Sequence, residues 1–144
     1  MANVFYDNAK KNLWNGAINL ATDPINVALV TSAYVPSQTT DQYWSTISGG
    51  TGYEASGTGY TAGGQALTGQ AVTADTVNHR GKFTANNVTW SNATITAVGA
   101  VIYKNTGTAT TSPVIGYIDF GGSKSSSAGN FTIQWDATNG IAYF

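Results

Sequence analysis

The sequence predicts a mainly β domain, a β-sandwich, jelly roll or related barrel-like domain, with a short N-terminal helix. Three observations predict it. The chain contains about eight short strand-like runs, nearly all of them after Gly49, and turn signals separate these runs at intervals of roughly 8–15 residues. Thr, Ser, Asn and Gly supply the polarity, since the charged fraction is 9%, against about 25% in typical soluble proteins. Helical spacing of apolar residues is confined to the first stretch.

The length of 144 residues suits one domain with one buried core. Internal repeats and linkers are not visible in the sequence. We therefore predict an N-terminal helical segment over residues 1–20, followed by a β-rich body over residues 21–144.

The first stretch predicts a helix over residues 3–15. Its apolar side chains recur every four residues along one stripe, with one further aromatic beside it: Phe5, Ala9, Leu13 and Trp14. Asn3 is expected to cap the start of this helix, and Gly16 lies just past its end. A helix this short is marginal in water, so it needs a surface on which to bury its stripe. That surface is either its own β-body or a neighbouring subunit, and because the chain carries few charges, we favour the neighbouring subunit.

The body is predicted from runs rich in β-branched and aromatic residues. INVALVTSAYVP opens it at Ile25, and Asp41 could cap a further helical turn through DQYWSTI. The later strands are expected at residues 65–75, 81–85, 87–90, 93–104, 113–120 and 131–136. GGSKSSSAGN, residues 121–130, is predicted to be a turn between the last two of them.

The stretch EASGTGYTAGGQALTG, residues 54–69, raises the possibility of a phosphate site. Gly57, Gly59 and Ala62 fit the loose G-x-G-x-x-G/A pattern of dinucleotide-binding loops. That fingerprint also needs a preceding strand, a following helix and an acidic residue about 20 positions on. Gly69 interrupts any helix, and Asp75 comes too early. We interpret the glycines as structural and expect no cofactor.

The candidate catalytic side chains are few. His79 is the single histidine and could act as a general base with Ser56 or Asp75. In its polar turn, VNHRGKF, it is more simply a solvated loop residue. With one histidine and no cysteine, the sequence predicts no metal site.

A glycoside hydrolase would need two facing carboxyl groups, one of them kept protonated. Glu54, Asp119 and Asp136 are the available members, each at the end of a predicted strand. Asp119 and Asp136 are expected instead to accept hydrogen bonds from backbone N–H groups at turns. We therefore predict that the protein is not an enzyme.

The distribution of charge and the absence of recognisable targeting signals bear on which partners and which compartment we expect. The net charge is −1 and the six basic residues are scattered, so we do not expect nucleic-acid binding. No apolar run approaches the roughly 18 residues of a membrane span, and MANVFYDNAKKNLW does not resemble a signal peptide. We expect the chain to fold in a cytoplasm.

The four tryptophans and eight tyrosines suggest sugar binding by aromatic stacking. Those that alternate within strands are predicted to be core residues instead: Trp90, Trp135, Tyr103 and Tyr117. Ile133 shares the inner face of the last strand with Trp135 and is expected to be buried too. The residues predicted to contact a partner lie in loop-like sequence or on the helix: Phe5, Leu13, Trp14, Trp44, Tyr53 and Tyr60.

Four phrases resemble, in order along the chain, a group of small virion proteins of tailed bacteriophages. They are INVALVTSAYVPSQ, EASGTGYTAGGQALTG, ITAVGAVIYKNTGT with SPVIGYIDFGG, and FTIQWDATNGI, and the resemblance runs from about residue 4 to the last residue. Within that group the chain is most like capsid decoration, or cement, proteins.

The resemblance implies a β-rich, tulip-like or jelly-roll-like body with an N-terminal segment that engages neighbouring subunits. It also implies a structural role without catalytic residues, on the outer surface of a capsid in the virion. It implies the major capsid protein as a partner and self-association, often as a homotrimer. Two alternatives stay open: a tail- or fibre-associated module that binds a host glycan through Trp44, Tyr53 and Tyr60, and, more remotely, a small hydrolase.

Overall fold

The computed structural model describes residues 3–144, and these residues form two antiparallel sheets. In chain order the elements are β1 (Val4–Phe5), α1 (Asp7–Trp14), β2 (Ile25–Val30), α2 (Trp44–Ser48), β3 (Gln65–Ala66), β4 (Ala71–Asp75), β5 (Arg80–Thr84), β6 (Val88–Lys104), β7 (Val114–Ile133) and β8 (Ala142–Tyr143). A single 3₁₀ turn, Ala109–Thr111, joins β6 to β7. The larger sheet has the order β1-β7-β6-β2-β3, and the smaller has the order β4-β5-β8. The predicted mainly β, sandwich-like fold with one short N-terminal helix is confirmed.

The antiparallel pair β6–β7 forms the centre of the larger sheet, and it is longer than the sequence suggested. The segments expected at 87–90 and 93–104 are one continuous strand. The prediction of a turn over residues 121–130 is wrong, because this stretch continues β7. Ser125 lies opposite Thr96 in β6, and their hydroxyls are 2.8 Å apart. The glycines of this stretch are accommodated in register shifts within the ladder. A Gly/Ser-rich composition therefore marked an exposed, bulged strand and not a turn.

The core lies between the sheets and under the loop that precedes β3. Ile25 to Val30 of β2 is almost wholly buried, and Trp90, Tyr103 and Tyr117 are core residues, as predicted. Ile133 is buried as well. Trp135 is only partly buried, because it lies past the end of β7, where its indole Nε1 donates a hydrogen bond to the Asn86 carbonyl at 2.9 Å.

The N-terminal segment differs from the single helix that the sequence predicted. Val4–Phe5 is a strand paired with β7, and α1 begins only at Asp7, after Tyr6 in extended conformation. Asn3 does not cap the helix, because its side-chain oxygen accepts a hydrogen bond from the Asp119 N–H at 2.8 Å. The spacing of apolar residues every four positions could not distinguish these two structures, because Phe5 fits a two-residue strand as well as a helical stripe.

The helix α1 packs on its own β-body. Tyr6 and Ala9 are fully buried there. The Tyr6 hydroxyl lies 2.6 Å from the Tyr34 hydroxyl, which donates to the Asp41 carboxylate at 2.7 Å. Asp41 is therefore a buried acceptor within the body and not the cap of α2, which starts at Trp44. The expectation that the whole segment needs a neighbouring subunit is wrong for its inner stripe.

None of the helices within residues 3–144 is long and apolar enough to cross a membrane.

Candidate interaction surface

The glycine-rich loop of residues 54–69 lies directly against the larger sheet. Gly57 and Gly64 both have positive φ angles, of 148° and 74°. A Cβ atom added to Gly57 would overlap the Thr94 carbonyl oxygen, and one added to Gly64 would overlap the Val27 carbonyl oxygen. The Thr94 N–H also donates to the Thr58 carbonyl at 2.9 Å. The glycines allow close backbone packing, which agrees with the structural interpretation of this loop.

Glu54 and Tyr60 fix the path of the same loop. The Glu54 carboxylate accepts hydrogen bonds from the Tyr60 hydroxyl at 2.7 Å and from the Gly63 N–H at 2.5 Å. The Tyr60 oxygen in turn accepts from the Leu29 N–H at 3.0 Å. Burial, together with the adjacent Glu54, raises the pKa of Tyr60 well above its usual range. Both side chains are used to hold the loop on β2.

The other two candidate carboxylates accept hydrogen bonds from backbone N–H groups, Asp136 at a turn, as the sequence predicted, and Asp119 within β7. Asp119 accepts a hydrogen bond from the Gly121 N–H at 3.0 Å. Asp136 accepts from the Asn139 and Thr138 N–H groups at 2.6 and 2.8 Å, and these bonds lower its carboxyl pKa. A general acid needs a raised pKa, so the shift at Asp136 is opposite in direction to the one that the general-acid role requires.

His79 lies exposed at the tip of the β4–β5 hairpin, with a positive φ of 53°. Asp75, its suggested partner, instead accepts hydrogen bonds from Asn78 and from the Arg80 Nε at 2.9 Å. These bonds hold the pKa of the Asp75 carboxyl at about 2. Ser56 lies in the glycine-rich loop, outside this hairpin. Across residues 3–144, no cluster of three or more histidine or acidic side chains could hold a metal ion.

The loop aromatics expected to contact a partner do not form an exposed platform. Trp44 stacks on Tyr103 with ring centroids 4.4 Å apart and an interplanar angle of 1°, and it is only 5% exposed. The Tyr53 ring packs against Tyr34 at 5.6 Å. The prediction for Trp44 is therefore wrong. Its spacing of three residues from Ile47, which is also buried, was the signal of an inward-facing helical turn.

The end of α1 presents the most exposed large apolar side chain among the described residues. Trp14 is 92% exposed, and Leu13 beside it is partly buried. Tyr6, Ala9 and Leu13 follow each other at intervals of three and four residues and face the body. Trp14 comes one position, about 100°, further round the helix. The helix that buries Tyr6 and Ala9 therefore necessarily turns Trp14 outwards.

Phe144, which no sequence pattern singled out, lies next to this helix end. Its ring is 61% exposed and meets Phe5 edge-on, with centroids 4.6 Å apart. Together with Leu13 and Trp14 it lines a shallow groove. We refer to Phe5, Leu13, Trp14 and Phe144 as the aromatic face. The signal that could have found Phe144 was the alternation in GIAYF, where Ala142 and Phe144 share one side of a strand.

The small sheet holds Phe144 in place. Phe144 and Gly81 exchange two backbone hydrogen bonds, of 2.8 and 3.1 Å. Arg80 lies over the Tyr143 ring, 4.1 Å from its centroid, while its Nε bonds Asp75 and its Nη2 bonds the Asn139 side chain at 2.9 Å. The hydrogen bonds to Gly81 therefore fix the position of the Phe144 backbone and, with it, the place of the ring.

A partly open cavity of about 230 Å³ adjoins the aromatic face, and we call it the end cavity. Phe144 lines both this cavity and the groove beside Trp14. Most of the lining is apolar and comes from both sheets: Phe5, Phe83, Ile102, Ile115, Ile141 and Phe144. Rigid apolar concavities of this kind bind apolar groups.

No protein-family model, curated protein or solved structure matches the chain. The function is therefore argued from the residues and their arrangement.

Proposed function

We propose that the protein is a structural virion protein that binds the outer surface of a phage capsid and stabilises the head by bridging capsid subunits. The observation that carries this proposal is the aromatic face, with Trp14 92% exposed beside Phe144 at 61%. Exposed, contiguous apolar side chains on a soluble β-domain usually mark a protein–protein contact. The ordered resemblance to capsid decoration proteins supports the choice of a virion, and of the major capsid protein as the partner.

The surface chemistry supports a crowded assembly. The charged fraction is 9% and the net charge is −1. Proteins use surface charge to repel one another and stay apart. Copies of this chain repel each other weakly, which suits dense packing on a capsid made in a host cytoplasm. A homotrimer, as the resemblance implies, would be one such packing unit.

Stabilisation of the head follows from mass action. A subunit that bridges two capsid subunits binds the assembled shell and not its separated parts, so each bound copy shifts the equilibrium towards the shell. Individual contacts can be modest, because several contacts made by one bound oligomer act together through their effective concentration.

The glycan-binding alternative has weaker support. It relied on Trp44, Tyr53 and Tyr60 as a stacking platform, and Trp44 is buried against Tyr103. The Tyr60 hydroxyl is occupied by Glu54. A sugar ring would therefore have to find another surface on the protein.

Co-sedimentation with phage particles tests the proposal. The purified protein is mixed with DNA-filled heads lacking it, with isolated tails, and with neither. We expect saturable binding to heads, together with a higher temperature of head disruption. Binding to tails alone, or to neither particle, contradicts the proposal, and a glycan array in parallel reports on the alternative.

A further inference from the structure

The aromatic face and the end cavity are complementary features of one surface. Trp14 projects from it, the end cavity opens into it, and Phe144 borders both. We propose that the end cavity receives the Trp14 side chain of a second copy of this chain. The inference rests on the proposed function and deepens it, because it assigns the aromatic face to the contact between copies within the oligomer that binds the capsid.

The volume of the end cavity suits an indole ring. An apolar cavity of about 150 Å³ accommodates benzene, which has six ring atoms. By simple proportion, a nine-atom indole needs about 225 Å³, and the end cavity measures about 230 Å³. The ring would meet Phe5, Phe83 and Ile141 without displacing a charged side chain, since the cavity has none among its described lining residues.

The apolar area suits a small but specific contact. Scaled by their exposed fractions, Trp14 and Phe144 present about 350 Å² of aromatic surface per copy. Two copies bring about 700 Å², which equals the apolar share of about 57% in an interface of about 1,200 Å², the lower limit for stable complexes. The walls of the end cavity add to this area. We therefore expect self-association that is concentration-dependent rather than obligate.

Self-complementarity favours a second copy over an unrelated partner. The same chain carries both the projecting ring and the cavity of matching size, so every copy can give one contact and receive one. Lys10, the charged residue that lines the groove beside Trp14, is already paired with Asp7 at 3.0 Å. With a net charge of −1, two copies approach with little repulsion.

Three variants distinguish this specific contact from nonspecific association through exposed apolar side chains. Trp14→Ser removes the projecting ring, and Ala142→Phe fills the end cavity, with Ala142→Leu as the milder alternative. Val77→Ser is the matched control, because Val77 is 85% exposed at the β4–β5 hairpin tip. Circular dichroism and thermal unfolding confirm that each variant is folded before association is measured by sedimentation velocity.

We expect the wild type to form a discrete oligomer as its concentration rises from about 1 to about 500 μM. Trp14→Ser and a folded Ala142 variant each weaken association by about 30-fold or more, the effect of removing an interface hot spot. Val77→Ser associates like the wild type. A mixture of Trp14→Ser and the Ala142 variant associates more tightly than either alone, because the first keeps the cavity and the second keeps the ring.

A wild type that stays monomeric throughout, a Trp14→Ser protein that associates normally, or a mixture without recovery overturns the inference. Head co-sedimentation of the same samples separates it from the capsid proposal. If the protein self-associates but does not bind heads, only the capsid proposal is contradicted. If it binds heads as a monomer, only the Trp14 contact is contradicted.

Discussion

Replacing Trp44 and Trp14 separately by alanine tests how the structure divides its aromatic residues between core and surface. Trp44 is 5% exposed and stacked on Tyr103, whereas Trp14 is 92% exposed. A residue of the same type thus occupies both extremes of burial. The sequence patterns predicted that both of them contact a partner.

The expected magnitudes follow from these exposures. Burial of Trp44 removes about 240 Å² from water, worth at most about 6 kcal/mol of unfolding free energy. Measured truncations of buried aromatics cost about 3–5 kcal/mol, so we expect Trp44→Ala to cost about 4 kcal/mol. Trp14→Ala should change the unfolding free energy by less than about 0.5 kcal/mol.

Urea unfolding followed by far-ultraviolet circular dichroism measures both variants. With a denaturant slope of about 2 kcal/mol/M, Trp44→Ala lowers the midpoint by about 2 M and Trp14→Ala leaves it almost unchanged. The protein is kept dilute, because self-association would add stability that Trp14→Ala removes. A midpoint that falls more for Trp14→Ala than for Trp44→Ala would refute the assignment of these two residues.

Three further outcomes are expected. Gly64→Ala should cost about 1–3 kcal/mol more unfolding free energy than Gly107→Ala, because both glycines have positive φ but only Gly64 lies against backbone. Equal midpoints for the two variants would show that the glycine-rich loop is not packed on β2. Deletion of residues 1–15 should abolish cooperative thermal unfolding, since it removes fully buried Tyr6 from the core; a truncated protein with an unchanged melting temperature contradicts this. Burial raises the pKa of Tyr103 to about 12. Because tyrosine in the unfolded chain ionises near pH 10, the contribution of Tyr103 to the unfolding free energy is complete below about pH 10 and is lost as the pH rises towards 12. The urea midpoint should fall over that range as tyrosinate absorbance appears, and a constant midpoint would count against the buried position.

The fold class was predictable because alternation and composition act along the whole chain. Trp90, Tyr103 and Tyr117 were assigned to the core from their place in alternating strands, and each is at most 3% exposed. Strand boundaries were less predictable. The turn expected over residues 121–130 is strand, because its small polar side chains pair with β6 while its outer side faces solvent.

The candidate site was predictable only in part, for a physical reason. A helical stripe identifies which side of α1 is apolar but not what covers it, so Phe5, Leu13 and Trp14 looked equivalent. The structure separates them, because Phe5 and Leu13 are partly buried and Trp14 is not. Phe144 joins Phe5 through a contact between opposite ends of the chain. Local sequence patterns do not encode such a contact.

The position of β1 sets a delay during synthesis of the protein. Val4 and Phe5 pair with Tyr117 and Gly116, and Asn3 bonds the Asp119 N–H across 116 positions of sequence. At translation rates of about 5–20 residues per second, the first strand waits roughly 6–23 s before its pairing partner has been made. Closing so long a loop also costs entropy before any contact repays it. The Tyr6 N–H also bonds the Ile115 carbonyl, so the burial of Tyr6 cannot be completed before that interval ends. Until then the N-terminal segment is open to capture by a chaperone or by another unfinished copy.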